Sequence, residues 1–323
     1  MLSRIAESLY WMSRYLERVD DTARVIDINR LHMVEAEDAM PEAHQWEPLL
    51  RIVGSAERFA ELHPGVPVTG ARAIPFMVQE RANPGSLFSS LRLARENARV
   101  VRDRISRPMW ETINELWLYV ERQIQQRLSP ERAPNFLLAV RKEVSRFNGL
   151  AVGSMMRGEA FGVYLLGTCL ERADMTARIL DVKYHLLLPS ESIGSALDYY
   201  QWAALLKSLS GFEAYRRKYH SAVRPIDVVE FLVLDREFPR SLRFCVERMV
   251  QALGQIGPSS ADAPSVRSMQ QLRGLLDARD AAAIFEQGLH EFLVDFLDGI
   301  ATVNGALQRD YFEAHLGTWP CAI

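Results

Sequence analysis

Residues Tyr10 to Ile28 read YWMSRYLERVDDTARVIDI, and residues Tyr164 to Val182 read YLLGTCLERADMTARILDV. The two stretches align without a gap at an offset of about 154 residues, the mark of an internal repeat. Glu17 matches Glu171, Arg18 matches Arg172, Asp20 matches Asp174, Thr22 matches Thr176, Arg24 matches Arg178 and Asp27 matches Asp181. Around the first stretch, Leu9, Met12, Leu16, Val19, Ala23 and Ile26 recur at alternating spacings of three and four, the period of one side of an α-helix. The spacing predicts a long first helix over about Ser3 to Glu35 and a second of the same kind over the matching stretch.

Further matches follow in the same order. Trp46, Leu49, Leu50 and Glu57 pair with Trp202, Leu205, Leu206 and Glu213. Phe76, Val78, Arg81, Pro84 and Ser86 pair with Phe231, Val233, Arg236, Pro239 and Ser241. Between the blocks, a proline-bearing linker follows the first helix, and a shorter helix is expected from near Trp46 to about His63. The stretch HPGVPVTG is a loop. Ser86 reads as the N-cap of a helix to about Ser106, Pro108 opens the next, and SPERAP is a turn before a helix from about Asn135. No run of alternating strands stands out, although Phe231 to Leu234 is ambiguous. The fold class predicted is all-α: a bundle of about ten to thirteen helices from a tandem duplication. Its halves, 1–153 and 154–323, are expected to pack as one unit about a pseudo-twofold axis.

Composition narrows the function. The chain has 323 residues, 48% hydrophobic and 24% charged, enough to bury a sizeable core, and a net charge of -3 points to neither nucleic acid nor an acidic membrane as partner. Cys169, Cys245 and Cys321 are far apart with no CxxC, which argues against a disulfide framework and suits a reducing cytoplasm. No metal site is expected, since the seven histidines lack ligand spacing such as HExxH. No apolar run approaches the roughly 18 residues that span a bilayer. Arg4, Glu7, Arg14 and Glu17 break up what a signal peptide would keep apolar, so a cytoplasmic location is expected. GxSxG, P-loop and GxGxxG signatures are missing, so no cofactor is expected in this chain.

The charged stripe of the repeat has three readings. Projected at about 100° per residue, the first helix centres its apolar side on Met12 and Val19, and Glu17, Asp20, Arg24 and Asp27 fall on the far side. Arg18 projects between Trp11 and Val25, at the apolar border, where a half-buried guanidinium needs a carboxylate partner. In one reading the stripe is a solvated face whose local pairs contribute only about 0.3–0.5 kcal/mol each. In a second, the two helices meet and cross-pair between halves, a network that fixes packing more than it stabilises. In a third, Glu17, Arg18, Asp20 and Arg24, with Glu171, Arg172, Asp174 and Arg178, line an open substrate cleft. Glu17 and Glu171 are then candidate catalytic carboxylates, and the arginines hold carboxylate or phosphate groups. Neighbours read as outward-facing differ between copies, Asp21 against Met175 and Arg14 against Thr168, which argues against free drift at the stripe.

Other features read more plainly. Arg92, Arg95, Arg99 and Arg102 share one predicted helix face, a candidate anion site. The alternative is local pairing of Arg92 with Glu96 and of Arg99 with Asp103. Trp46, Trp110 and Trp117 are read as core anchors, Cys169 as packing in the place of Tyr15, and His185 as a helix-end residue.

The LERxDxTAR stripe, the RENAR segment with Trp110, Glu111 and Asn114, the FPRS block at Phe238 to Ser241 and the opening MLSRIAESLYWMSRYLER resemble the alpha-E family, a bacterial helical group with a Glu-Arg motif. The resemblance covers nearly the whole chain. It implies association with a circularly permuted ATP-grasp protein, and with a transglutaminase-like protease. ATP-grasp enzymes use ATP and Mg to join a carboxylate to an amine. The resemblance therefore implies an accessory or substrate-handling role in an amide- or peptide-forming or peptide-modifying system, with a peptide or amino-acid substrate and ATP and Mg on the partner. Two alternatives stay open: a helical enzyme using Glu/Arg acid-base chemistry, and a ligand-free scaffold. The motif residues the resemblance carries over are Glu17, Arg18, Glu171 and Arg172.

Overall fold

The three-and-four spacing that starts at Leu9 is realised as α1, Ser3–Glu35, a helix of 33 residues, about 50 Å long. Its matching stretch forms α8, Glu159–Leu187. A computed structural model describes residues 1, 3–35, 42–187, 196–220, 222–257, 260 and 262–313. After α1 come α2 (Glu42–Ile52), α3 (Ala56–Leu62), α4 (Gly70–Val78), α5 (Leu87–Val100), α6 (Arg107–Gln123) and α7 (Ala133–Ser154). After α8 come α9 (Ala196–Ser208), α10 (Phe212–Tyr219), α11 (Pro225–Val229), α12 (Leu242–Ile256), α13 (Pro264–Asp277), α14 (Ala281–Gln287) and α15 (Leu289–Leu307), with π-helical turns at Glu230–Leu234 and Gln308–Phe312. Among the described residues there are thus fifteen α-helices and no strand, more helices than the ten to thirteen expected. The excess lies in short helices such as α3, α10 and α14, whose few residues leave too little periodicity to read.

Local chemistry sets the element ends. Ser86 Oγ accepts the Ser89 N–H at 3.2 Å at the start of α5, and Ser241 Oγ accepts the Phe244 N–H at 3.0 Å at the start of α12. The helix expected from Trp46 to His63 is two helices, because Gly54 turns left-handed at φ 64° and closes α2. Ser55 N–H then reaches back to the Leu50 carbonyl at 2.7 Å. Ser210 turns the same way after α9, at φ 51°, with Gly211 N–H on the Leu206 carbonyl at 2.8 Å. The helix predicted to run to Ser106 stops at Val100. The ambiguous Phe231 to Leu234 is π-helical. The linker after Glu35, the region past Leu187 and Cys321 lie outside the described residues, as does the side chain of His185.

Packing sorts the helices into two parallel series. α1 lies against α5 and α7, α8 lies against α12 and α15, and α1 and α8 lie against each other. α6 bridges α5 and α7 as α13 bridges α12 and α15, while α14 has no counterpart before α8. The consequence for α1 contradicts a solvated polar face. Leu9, Met12, Leu16, Val19, Ala23 and Ile26 are buried as expected, but so are Arg14, Glu17, Asp20, Asp21 and Arg24 on the other side. A polar helix face can be enclosed when its cover brings opposite charge, and here α8 does so together with the turn before α12.

Candidate functional site

α1 and α8 run side by side in the same direction and touch at equivalent positions. An ideal Cβ on Gly167 would sit 2.1 Å from Ser13 Oγ and 2.4 Å from the Tyr10 carbonyl oxygen, so only glycine allows this approach. Ser13 and Gly167 are matched residues of the repeat. One turn further on, the Glu-Arg pairs meet across that contact. Arg172 donates through Nε and Nη2 to the two oxygens of Glu17, both at 2.9 Å. Arg18 donates through Nε to Glu171 Oε1 at 2.5 Å. Each glutamate therefore pairs with the arginine of the other copy, not with its sequence neighbour. One shell out, Tyr10 O–H donates to Asn304 Oδ1 on α15 at 2.7 Å, and Tyr164 O–H donates to Asn148 Oδ1 on α7 at 2.7 Å. These contacts map onto one another when the two halves are exchanged.

Each glutamate also meets a second guanidinium, and here the exchange fails. Arg14 donates to Glu171 Oε2 through Nε at 2.8 Å, but its matched residue is Thr168. On the Glu17 side the second cation is Arg240, from the turn before α12, with Nη2 3.0 Å from Glu17 Oε1. Arg240 further contacts Asp20 Oδ2 at 3.0 Å and Asp21 Oδ1 at 2.7 Å. These three carboxylates converge closely enough to suit a cation, and the cation they meet is this guanidinium. Arg14, Thr168, Asp21 and Met175, read from sequence as outward neighbours, are all buried. Their differences make the seam asymmetric and are not surface drift.

Both glutamates are 1% exposed and every one of their oxygens is engaged. Burial alone would raise Glu17, but Arg172 and then Arg240 beside it outweigh that and hold its carboxyl down to about 2. Burial likewise opposes Arg18 and Arg14 at Glu171, and the arginines prevail, leaving its carboxyl lower than usual. A carboxylate held so low by two guanidiniums is a poor proton acceptor. The rest of the stripe divides. Asp20 pairs with Arg24 at 2.5 Å, and Arg24 reaches Ser210 Oγ at the left-handed end of α9. Asp174 pairs with Arg178 at 2.7 Å in a more open setting. Asp27 meets Arg141 of α7 at 3.1 Å, and Asp181 meets His290 of α15 at 2.6 Å.

Asp21 is the exception in charge state. Burial pushes its carboxyl up to about 7, against the pull of Arg240. Its folded value exceeds the roughly 3.9 of an unfolded aspartate, so its contribution to stability is full below about 4 and is lost as the pH rises through about 7. Glu17 acts in the opposite sense, stabilising above the usual carboxylate range and losing that as the pH falls through about 2. Asp21→Asn is expected to flatten the fall in stability between pH 5 and pH 8 relative to the parent chain. Urea denaturation at both pH values checks this; parallel pH profiles would refute it.

The arginine-rich segment does not assemble. α5 ends before Arg102, which lies over Trp110 from the following turn. Arg95 donates to Asn114 Oδ1 at 2.9 Å, and Arg99 meets Glu96 at 2.9 Å. Arg92 is exposed. Neither expected pairing, Arg92 with Glu96 or Arg99 with Asp103, is the one formed. Trp46 and Trp117 are buried, and Trp110 is half-buried under these arginines.

An open cleft does occur, away from the stripe. It measures about 850 Å³ and lies among α10, α11 with its π-helical turn, and the start of α14, lined by residues including Lys218, Asp227, Glu230, Asp235 and Glu237. Lys218 pairs with Asp235, and Arg224 pairs with Asp227 at 2.6 Å, while Glu230 and Glu237 are exposed. In the first half, Gln79 ties α4 to the α6–α7 loop through Gln126 O at 2.9 Å and Leu128 N–H at 2.8 Å. Sequence reading missed this cleft because α14 has no counterpart in the first copy.

A family model described as a predicted alpha-helical domain with a conserved ER motif matches residues 1–312. Curated relatives include an uncharacterized protein of Mycobacterium bovis and two of Mycobacterium tuberculosis. Each is 22% identical over 318 residues, an alignment covering 92% of this chain and 35% of the relative. The chain thus spans about a third of the length of the curated relatives it matches. No solved structure matches it. No helix among the described residues is long and apolar enough to cross a membrane.

Proposed function

The chain belongs to the Alpha-E family, and on that premise we propose that it is an accessory component of an ATP-grasp-linked system that forms or modifies amide or peptide bonds. In this reading its Glu-Arg motif joins the two halves of a duplicated body and performs no chemistry. The observation that carries the reading is the closure of the motif on itself: Glu17 and Glu171 direct all their oxygens at arginines and are 1% exposed. A buried carboxylate so committed offers a substrate neither access nor a base. Two further observations support it. In relatives about three times as long, the matching segment is part of a larger chain, as expected of a unit that works beside another one. The cleft beside α14 offers exposed Glu230 and Glu237 to an amine-bearing peptide, a place for substrate handling that the stripe lacks.

The test is co-purification with a tagged ATP-grasp partner, followed by amide-ligase turnover with and without this chain. The expected result is a stable complex, a rise in turnover, and loss of that rise in Glu230→Lys/Glu237→Lys with an unchanged melting temperature. No complex and no effect on turnover would overturn the proposal.

A further inference from the structure

Cys169 on α8 and Cys245 on α12 are both buried and free. α8 and α12 approach closely at Gly162, where a Cβ would lie 3.1 Å from the Ala252 carbonyl oxygen. The helices run antiparallel. Cys169 lies seven residues beyond Gly162, and Cys245 seven residues before Ala252. Seven residues make two turns, so both cysteines return to the face of that contact. There each thiol lies close enough to the other to shift its titration, and Cys245 Sγ donates to the Pro239 carbonyl at 3.6 Å. Pro239 itself is exposed. The neighbouring Cys245 draws Cys169 below the ordinary thiol range against burial, with Arg172 helping, while burial keeps Cys245 well above it. The lowered thiol is the better suited of the two to attack, and its neighbour to resolve.

From this juxtaposition we propose that Cys169 and Cys245 are a modification site: on exposure to a peroxide they form an intrachain disulfide that ties α8 to α12 beside the Glu17–Arg172 pair. Cys169 sulfur attacks one peroxide oxygen, the O–O bond breaks, and the other oxygen leaves as hydroxide and takes up the thiol proton to become water. Cys245 sulfur then attacks the sulfenic sulfur, the S–O bond breaks, and that oxygen leaves as water with the Cys245 proton. Two thiols are oxidised and one peroxide is reduced to two waters. The first half cannot do this, because Tyr15 and Ser90 stand at the matched positions.

The experiment uses the full chain carrying Cys321→Ser, treated with hydrogen peroxide, alkylated under denaturing conditions, and read by intact mass and a non-reducing peptide map. The expected result is a mass lower by two hydrogens, one linked Cys169–Cys245 peptide, reversal by dithiothreitol, and a higher melting temperature than the reduced form. In Cys245→Ala the reaction is expected to stop at a Cys169 sulfenic acid that dimedone traps. Both cysteines still fully alkylated after peroxide, or Cys169 over-oxidised while Cys245 stays free, would overturn the proposal. These readouts use the native cysteine pair and stand even if Cys245→Ala fails to fold.

Discussion

Gly167→Ala is expected to destabilise the chain by about 3 kcal/mol or more, the upper end for overpacking a core. The added Cβ would lie 2.1 Å from Ser13 Oγ, which a rotation could relieve, and 2.4 Å from the Tyr10 carbonyl oxygen, which none could. That oxygen belongs to the backbone of α1, so the whole helix would have to move off α8. The displacement would reach the Glu17–Arg172 and Glu171–Arg18 pairs one turn away. Gly149→Ala is the control. A Cβ there meets nothing within 4 Å, so helix propensity should stabilise the chain by up to about 1 kcal/mol. Chemical denaturation of the two variants should move in opposite directions. Equal shifts would show that α1 and α8 do not depend on backbone contact at that point.

Glu17→Gln and Glu171→Gln are each expected to cost about 3–5 kcal/mol, the effect of leaving buried cations without their anion. Glutamine keeps the shape but removes the charge, so Arg172 with Arg240, or Arg18 with Arg14, loses its shared carboxylate. Glu57→Gln and Glu213→Gln are the comparison. These glutamates are also matched between the copies, yet both are exposed, and each change should stay within about 0.5 kcal/mol. If Glu17→Gln kept full stability and lost a biochemical activity of the assembled system, the motif would be a reactive site and not a seam.

Much of this was legible in the sequence, for a definable reason. α1 announces itself through the spacing from Leu9 to Ile26, and Ser86, read as an N-cap, sits where α5 begins, while its match Ser241 caps α12 in the structure. The meeting of the two Glu-Arg helices was one of the readings open at Arg18, a cation placed on an apolar border. Sequence could not choose among those readings, because an amphipathic pattern does not reveal whether water or another helix covers the polar side. Arg240 was invisible as a seam residue because its contacts with α1 are long-range and it has no matched arginine in the first half. Gly167 carried a weak signal: a glycine stands opposite Ser13 in an otherwise helical pattern. The cleft beside α14 left none, since α14 has no matched stretch before α8 and the comparison that made the rest readable has nothing to set against it.

The most direct measurement is a pair of double-mutant cycles on folding stability. One combines Glu17→Gln with Arg172→Met, and the other combines Glu17→Gln with Arg18→Met. Cross-pairing predicts a coupling of about 1–3 kcal/mol in the first cycle and near-additive changes, within about 0.5 kcal/mol, in the second. Strong coupling of Glu17 to its sequence neighbour Arg18, with additivity toward Arg172, would contradict the claim that the motif joins one half of the chain to the other.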